Sequence, residues 1–309
     1  MGTPKPAAYI LQKLLDAKFN IVAVVTQPDK PKGRGLKLQE CETAAAASAA
    51  GLEVIKPESA RDPGFIGKIA GIKPDLVVIV AYGKILPGEF LSVPRFGCIN
   101  VHASLLPKYR GASPIQTALL DGEKETGVTI FGLNEKMDEG GIISSKAVGI
   151  DDADDSESLS TKLFRAGADI LINVIADIGI SGVKPHVIPQ DHSKATYCRL
   201  IRKEDSKIDF TLSAQDIHNK IRAFTQWPGA AADFKGKKIK FLRAKPVPDL
   251  SSGRQPGEVV GIVKNEGFIV SAGNGALLVT RVQPESSRPM DATAFIQGYR
   301  VEEGDMFNY

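Results

Sequence analysis

The chain has 309 residues, of which 43% are hydrophobic and 24% charged, with a net charge of only +3, and this balance excludes a disordered or a uniformly polycationic protein. No apolar run approaches the ~20 residues that span a bilayer. Three scattered cysteines (Cys41, Cys98, Cys198) exclude a paired disulfide framework and fit a reducing cytoplasm. Four histidines without a C-x-x-C or H-x-H spacing give no zinc-site pattern, so no metal is expected. The length suggests two domains.

In chain order, residues 9–18 have helical spacing, with Ile10, Leu14 and Leu15 on one side. Residues 21–25 form a β-branched run and read as a buried strand. The alanine-rich stretch 43–50 reads as a helix. Residues 75–81 are continuously apolar, as in a central parallel strand covered on both faces. Further strands are expected at 98–102 and 127–131. Asp155 and Ser156 precede Leu159, Leu163, Ile170 and Val174, an N-capped helix running towards Ile178. Alternating strands and helices predict an open parallel sheet with helices on both faces. This first domain is assigned to residues 1–185.

Residues 186–207 are polar and weakly periodic and read as a linker. Residues 208–309 then form a second domain. It is expected to hold a helix at 216–224 and short strands at 238–243, 257–263, 267–272 and 276–282, with a turn at Gly273-Asn274-Gly275. Closely spaced short strands predict a small OB-like β-barrel. Residues 199–245 carry twelve Lys/Arg against five Asp/Glu. Such a basic segment is either a solvated surface or a nucleic-acid footprint.

The chemistry-bearing residues lie in the first domain. Asn100 and His102 are two apart near the end of a strand, so they project from one face. Ligands of open α/β sheets bind beyond the carboxyl ends of the strands. The loop Met137-Asp138-Glu139-Gly140-Gly141 follows the next strand and can bring a carboxylate to the same crevice. Singly, each residue also has a structural reading as a strand-end, cap or turn residue. Together, an amide, an imidazole and a carboxylate suit acyl transfer to an amine. Asn100 can donate to a developing oxyanion, His102 can move the proton, and Asp138 can orient His102. Cys98 stands four strand residues from His102, roughly 13 Å away, too far for a Cys–His nucleophile.

Residues 98–114, C-I-N-V-H-A-S-L-L-P-K-Y-R-G-A-S-P, resemble the signature of the folate-dependent formyltransferases. Residues 137–143, M-D-E-G-G-I-I, resemble the second active-site loop of that family. The resemblance implies a Rossmann-like α/β domain, the catalytic triad Asn100, His102 and Asp138, and 10-formyltetrahydrofolate as the formyl donor. It places Ser104, Leu105, Leu106 and Pro107 in the folate site. It assigns Tyr82, Gly83, Ile85 and Leu86 to the strip that receives the pterin ring.

Residues 26–35, T-Q-P-D-K-P-K-G-R-G, resemble the loop by which tRNA-acting members reach the acceptor end. Arg34 lies between glycines, and Lys30, Lys32 and Lys37 add charge for phosphates. Residues 222–230, R-A-F-T-Q-W-P-G-A, are similar to the appended C-terminal domain of those members, with Thr225-Gln226 in place of Asn-Pro. Residues 295–307 resemble its closing segment. The resemblance thus implies initiator methionyl-tRNA as the acceptor, with Arg34, Lys37, Lys237, Lys238 and Lys240 as its contacts. It implies a monomeric cytoplasmic enzyme of translation initiation that makes no membrane contact. The competing expectations are a formyltransferase acting on an amino sugar or another small amine, a formyl-folate hydrolase, and an RNA-binding protein with a dead folate fold.

The match begins inside the family pattern, at Met1-Gly2-Thr3-Pro4. The first strand of the sheet is therefore expected to be missing, because Pro4 and Pro6 cannot donate to a ladder. Residues 21–25 and 76–80 would then face each other across a gap of roughly 10 Å, or pair directly. The expectation is that the native protein begins upstream, with a short apolar strand.

Overall fold

Pro4 and Pro6 start a helix. The structure is a computed structural model that describes residues 1–32, 37–247 and 253–308. In it, Pro4 is the extended N-cap of α1 (Lys5–Asp16), with proline in the first turn, where its fixed φ suits a helix and its missing N–H costs nothing. The helix therefore begins four residues before the expected position. It buries Ala7, Ile10, Leu11 and Leu14.

The chain divides into two units. One comprises Met1–Pro114, Glu125–Gly149 and Ser160–Arg199, and the other Ile115–Lys124, Ile150–Leu159 and Leu200–Tyr309. In the first unit, β1 (Val24–Val25) is the paired part of the 21–25 run. The strands β2 (Lys30–Lys32) and β3 (Lys37–Gln39) pair antiparallel. In α2 (Glu42–Ala49), Cys41 Sγ caps the N-terminus by accepting from Ala44 N. The strand β4 (Val54–Ile55) lies parallel to β1. The helix α3 (Pro63–Ile72), capped by the Asp62 carboxylate, carries only two fully buried side chains, Phe65 and Ile69. Phe65 stacks on Phe90 of the short helix α4 (Gly88–Leu91), ring centroids 5.5 Å apart.

The strand β5 (Val77–Ile79) runs parallel to β6 (Cys98–His102). After β7 (Arg110–Gly111) and α5 (Pro114–Leu120), the strand β8 (Glu125–Gly132) returns antiparallel to β6. It continues as a hairpin into β9 (Ile142–Gly149), giving the order β5-β6-β8-β9. The sheet, expected to be all parallel, is parallel at β5–β6 and antiparallel beyond. The long helix α6 (Ser156–Ser181) starts at the expected cap, where Asp155 Oδ1 accepts from Glu157 N and Ser158 N.

Residues 186–207, expected as a linker, carry structure. Ile188 bridges Ile142, and β10 (Tyr197–Cys198) runs parallel to β7. Polar side chains of this stretch bond inward, which hydrophobic periodicity cannot register.

From residue 200 onward the second unit is a curled antiparallel sheet with helices α7 (Ala214–Ala223) and α8 (Ala292–Tyr299). α7 precedes β11 (Ala230–Phe234), β12 (Lys237–Val247), β13 (Val259–Val263), β14 (Gly267–Ser271), β15 (Ala276–Pro284), β16 (Met290–Asp291), α8 and β17 (Phe307–Asn308). The path runs β13-β14-β15-β12-β11-β17, with β16 beside β15. Its two ends meet at a Glu258–Met306 bridge, where Phe307 N donates to Gly257 O at 2.8 Å. Phe210, Phe234, Phe241, Phe268, Phe295 and Phe307 fill the interior. Phe307 stacks on Phe268 (5.5 Å) and on Phe234 (4.6 Å).

At the start of the chain the expected gap is present and is bridged at one end. Residues 21–25 and 76–80 do not pair directly. Met1 and Gly2 lie between them: Gly2 N donates to Val25 O (2.9 Å), Val80 N donates to Met1 O (2.9 Å), and the Met1 nitrogen donates to Val78 O (2.6 Å). Below this bridge an apolar cavity of about 150 Å³ remains, lined by Leu14, Ile21, Ala23, Ile72, Leu76 and Val78 among others. Pro4 and Pro6 stay out of the ladder, as expected, and before them Gly2 makes one isolated bridge, to Val80.

Gly2 is required by this contact. A Cβ there would stand 2.4 Å from Val80 O and 2.5 Å from the Ala7 Cβ. Gly2→Ala should therefore cost about 1–3 kcal/mol, the usual penalty of overpacking. A thermal melt of the variant beside the parent chain measures it.

Candidate active site

The pleat of β6 sets Asn100 and His102 on one face, as their spacing predicts. Cross-strand, Asn100 lies opposite Phe131 and His102 opposite Thr129. His102 is buried, and its ring meets the edge of Phe131 with centroids 6.2 Å apart. Its Nε2 lies 2.9 Å from the Tyr109 carbonyl. A carbonyl only accepts, so Nε2 carries the hydrogen and Nδ1 is left as the basic atom of the neutral ring. Nδ1 lies 3.8 Å from Asp138 Oδ2. That is beyond a hydrogen bond. Asn100 Oδ1 is buried without a hydrogen-bond partner.

The loop after β6 is fixed by Thr129. Its hydroxyl donates to Ser104 O (2.7 Å) and accepts from Leu106 N (3.1 Å). Ser104 is fully buried, and its own hydroxyl donates to Lys108 O. Leu106 is buried, while Leu105 and Pro107 are half-buried. Of the residues expected to meet folate here, Ser104 thus closes the turn with its side chain.

Asp138 stands in the β8–β9 connection with φ 54°, a left-handed conformation rare outside glycine. Its Oδ2 accepts from Gly111 N at 2.8 Å. Gly111 has φ 121°, and a Cβ there would lie 2.2 Å from Cys198 O. Gly140 is equally constrained, with Gly132 O 1.7 Å from where its Cβ would be. The structure therefore brings Asp138 within 3.8 Å of His102 and sets Asn100 on the same face of β6 as His102.

The strip at 82–86 divides. Tyr82 is buried, its hydroxyl has no partner, and burial raises its pKa above the ordinary phenol value. Gly83 has φ 75°, Ile85 is exposed and Leu86 is buried. Gln27 Nε2 donates to Tyr82 O at 2.7 Å and holds the strip. Cys98 is buried and its thiol is pushed up to about 12 by desolvation, which removes it as a nucleophile at neutral pH.

Several residues of the site were not singled out from the sequence. Arg110 is fully buried, and its Nε and Nη2 donate to Gln190 Oε1 at 3.1 and 2.7 Å. Its guanidinium also meets His192 Nδ1, Tyr197 OH and, at 3.7 Å, Glu139 Oε1. The signal for Arg110 was present in K-Y-R-G, a charge inside an apolar loop. Gln190 and His192 lay in the stretch read as a linker.

Arg34 lies outside the described residues, and of Lys37 only the backbone, in β3, is described. On β12, Lys238 and Lys240 alternate with the buried Ile239 and Phe241 and so share the outer face. Lys237 sits on the other parity, at the strand start, with Nζ 5.2 Å from the centre of the Tyr299 ring. Among the described residues no cluster of three His, Cys, Asp or Glu side chains is arranged to hold a metal. Among them, too, no helix is long and apolar enough to cross a membrane.

Comparison with known proteins agrees with this geometry. Residues 1–175 match the Formyl transferase family, and residues 200–300 match the family Formyl transferase, C-terminal domain. The chain belongs to the formyltransferase family. It is similar to a methionyl-tRNA formyltransferase of Symbiobacterium thermophilum, 42% identical over 308 residues, covering 100% of this chain and 94% of the relative. It is likewise similar to the methionyl-tRNA formyltransferase of a Sulfurihydrogenibium species, 40% identical over 99% of this chain and 98% of the relative. Among solved structures, the N-formyltransferase of Helicobacter canadensis, in complex with folinic acid and dTDP-3-aminofucose, superposes with a TM-score of 0.64. It is 20% identical and covers 94% of this chain and 97% of its own. At that identity the likeness concerns the fold.

In this formyltransferase the Gly111 amide fixes the Asp138 carboxylate. Gly111→Ala should drive the backbone off Cys198 O, break that bond and lower kcat on the order of 10²-fold, as for a displacement of about 1 Å at a reacting centre. Steady-state formyl transfer by the purified variant, compared with its melting curve, checks this.

Proposed function

We propose that the chain is a methionyl-tRNA formyltransferase, transferring the formyl group of 10-formyltetrahydrofolate to the α-amine of initiator methionyl-tRNA. The observation that carries this reading is the identity of about 40% with enzymes of that name along the whole chain, across both units. The residues present suit the donor. Asn100 has a buried amide oxygen without a partner, Tyr82 an unpartnered buried hydroxyl, and Ile85 an exposed apolar side chain of the kind a flat ring covers. Ser104, Leu105, Leu106 and Pro107, with Tyr82, Gly83, Ile85 and Leu86, are the residues proposed to hold folate.

10-Formyltetrahydrofolate supplies a formyl carbon open to attack by an amine. Asn100 donates its amide hydrogen to the formyl oxygen as that atom gains charge, an effect worth about 3–4 kcal/mol for one such donor in acyl transfer. His102 Nδ1 takes the proton that the attacking amine loses. The resulting cation is held between the Tyr109 carbonyl and the Asp138 carboxylate. The same ring returns the proton to the departing nitrogen, so the N–H lost by the amine reappears on the folate. The proposed division of labour gives residues 1–185 the chemistry and residues 208–309 the tRNA. The reading takes the enzyme as a cytoplasmic monomer.

The test incubates the protein with 10-formyltetrahydrofolate and charged initiator tRNA, with uncharged tRNA and a dTDP-amino sugar as alternative acceptors. Formylation of the sugar in place of the charged tRNA would replace this reading. His102→Ala, Asn100→Ala and Asp138→Ala should each lower kcat far more than they raise KM for either substrate. Double variants should lose much less than the product of the singles, because the groups act on one charge distribution. Separately, Lys238→Ala and Lys240→Ala should each flatten the salt dependence of tRNA binding by about one unit of logarithmic slope and leave folate affinity unchanged. Binding titrations over a salt series measure this.

A further inference from the structure

Asp138 holds a left-handed backbone conformation without being a glycine, and some neighbour must keep it there. The structure offers one side chain placed to do so. Gln190 is buried, and its Nε2 donates to both Asp138 O (2.8 Å) and Gly140 O (2.7 Å). These two carbonyls flank Glu139 and span the bend that aims the Asp138 carboxylate.

The orientation of the Gln190 amide is set by chemistry. Both atoms met by Nε2 are carbonyl oxygens, which only accept, so that end must be the NH₂. Both atoms met by Oε1 belong to the Arg110 guanidinium, which only donates. Arg110 is itself buried and held by Gln190, His192, Tyr197 and Glu139. A flipped amide would set donor against donor and acceptor against acceptor, so a single arrangement is allowed. The next residue after Arg110, Gly111, supplies the N–H that the Asp138 carboxylate accepts. Arg110–Gly111 therefore act on Asp138 from two sides: through Gln190 on its backbone, and directly on its side chain.

We propose that Gln190, oriented by Arg110, is a positioning residue for formyl transfer that acts through Asp138. This rests on the reading of Asn100, His102 and Asp138 as the catalytic set. Gln190 touches neither His102 nor Asn100 in any hydrogen bond of the structure, so its influence on the proton at His102 passes through the Asp138 loop.

The test is a double-mutant cycle. Gln190→Glu keeps the size of the side chain and its partner Arg110 but turns a carboxylate oxygen towards the Asp138 and Gly140 carbonyls. Its kcat should fall by about tenfold or more, as expected for a misplaced catalytic group, with KM for 10-formyltetrahydrofolate and for methionyl-tRNA within about twofold of the parent. In an Asp138→Asn background, the same change should lower kcat by less than about twofold, since the group it positions is already disabled. A purely structural role would make the two losses multiply, and that result would overturn the proposal. So would a Gln190→Glu enzyme with near-parental kcat beside an impaired Asp138→Asn enzyme. Should Gln190→Glu yield no folded protein, Gln190→Met gives the same cycle without the added charge. An Asp138→Asn enzyme with parental turnover, or a parent chain that formylates neither tRNA nor sugar, would instead sink the catalytic assignment beneath the inference.

Discussion

A hydrogen bond from the Gly111 backbone N to the Asp138 carboxylate ties together the two loops on which the site is built. One loop follows β6 and carries the Tyr109 carbonyl that fixes the His102 tautomer. The other is the β8–β9 hairpin connection. Neither loop is organised by hydrophobic burial alone. Each holds residues in left-handed conformations (Tyr109 and Gly111 in one, Asp138 in the other), and such backbone persists only where the surroundings over-determine it. The buried Arg110, the amide of Gln190 and the parallel pairing of β7 with β10 provide that over-determination.

The antiparallel entry of β8 has a direct consequence for the chemistry. Since β8 runs back along β6, its hydrogen-bonded partners put Thr129 beside His102 and Phe131 beside Asn100. Thr129 pins the loop after β6, and Phe131 presents its ring to the imidazole. The hairpin that follows turns at the Ile99 end of β6, where Gly132 pairs with Ile99, and its loop folds back to bring Asp138 Oδ2 within 3.8 Å of His102 Nδ1.

Much of this was legible in the sequence, for identifiable reasons. The β6 strand matched its expected limits because its residues are apolar with an Asn and a His at period two. The helix from Ser156 was marked by Asp155, whose cap is present. The strands of the second unit were marked by their turns. The sheet direction at β8 was not legible, because periodicity reports which face is buried and carries no information on parallel or antiparallel pairing. Residues 186–207 were read as a linker because Gln190, Thr196 and Tyr197 are held by polar contacts, which a hydrophobic pattern does not display. The prolines at 4 and 6 were read as excluding a ladder, and they stay out of it, but the isolated bridge from Gly2 to Val80 before them was not legible. The basic segment was legible as charge, but only the strand register separated Lys237 from Lys238 and Lys240.

The end-to-end closure of the second unit bears on how the chain folds as it is made. Its path joins residues near 258 to residues near 306, and β11, at 230–234, pairs with β17, at 307–308. Phe307 fills the centre of the phenylalanine cluster and touches four of its members within about 6.4 Å. Until residues 304–308 have been synthesised, β11 and β13 both keep an unpaired edge, and the aromatic interior lacks its middle ring. During translation this unit therefore presents an open, sticky sheet to its surroundings until its last strand has left the ribosome. That interval is when unpaired strand edges are exposed to mispairing and chaperones have most to shield.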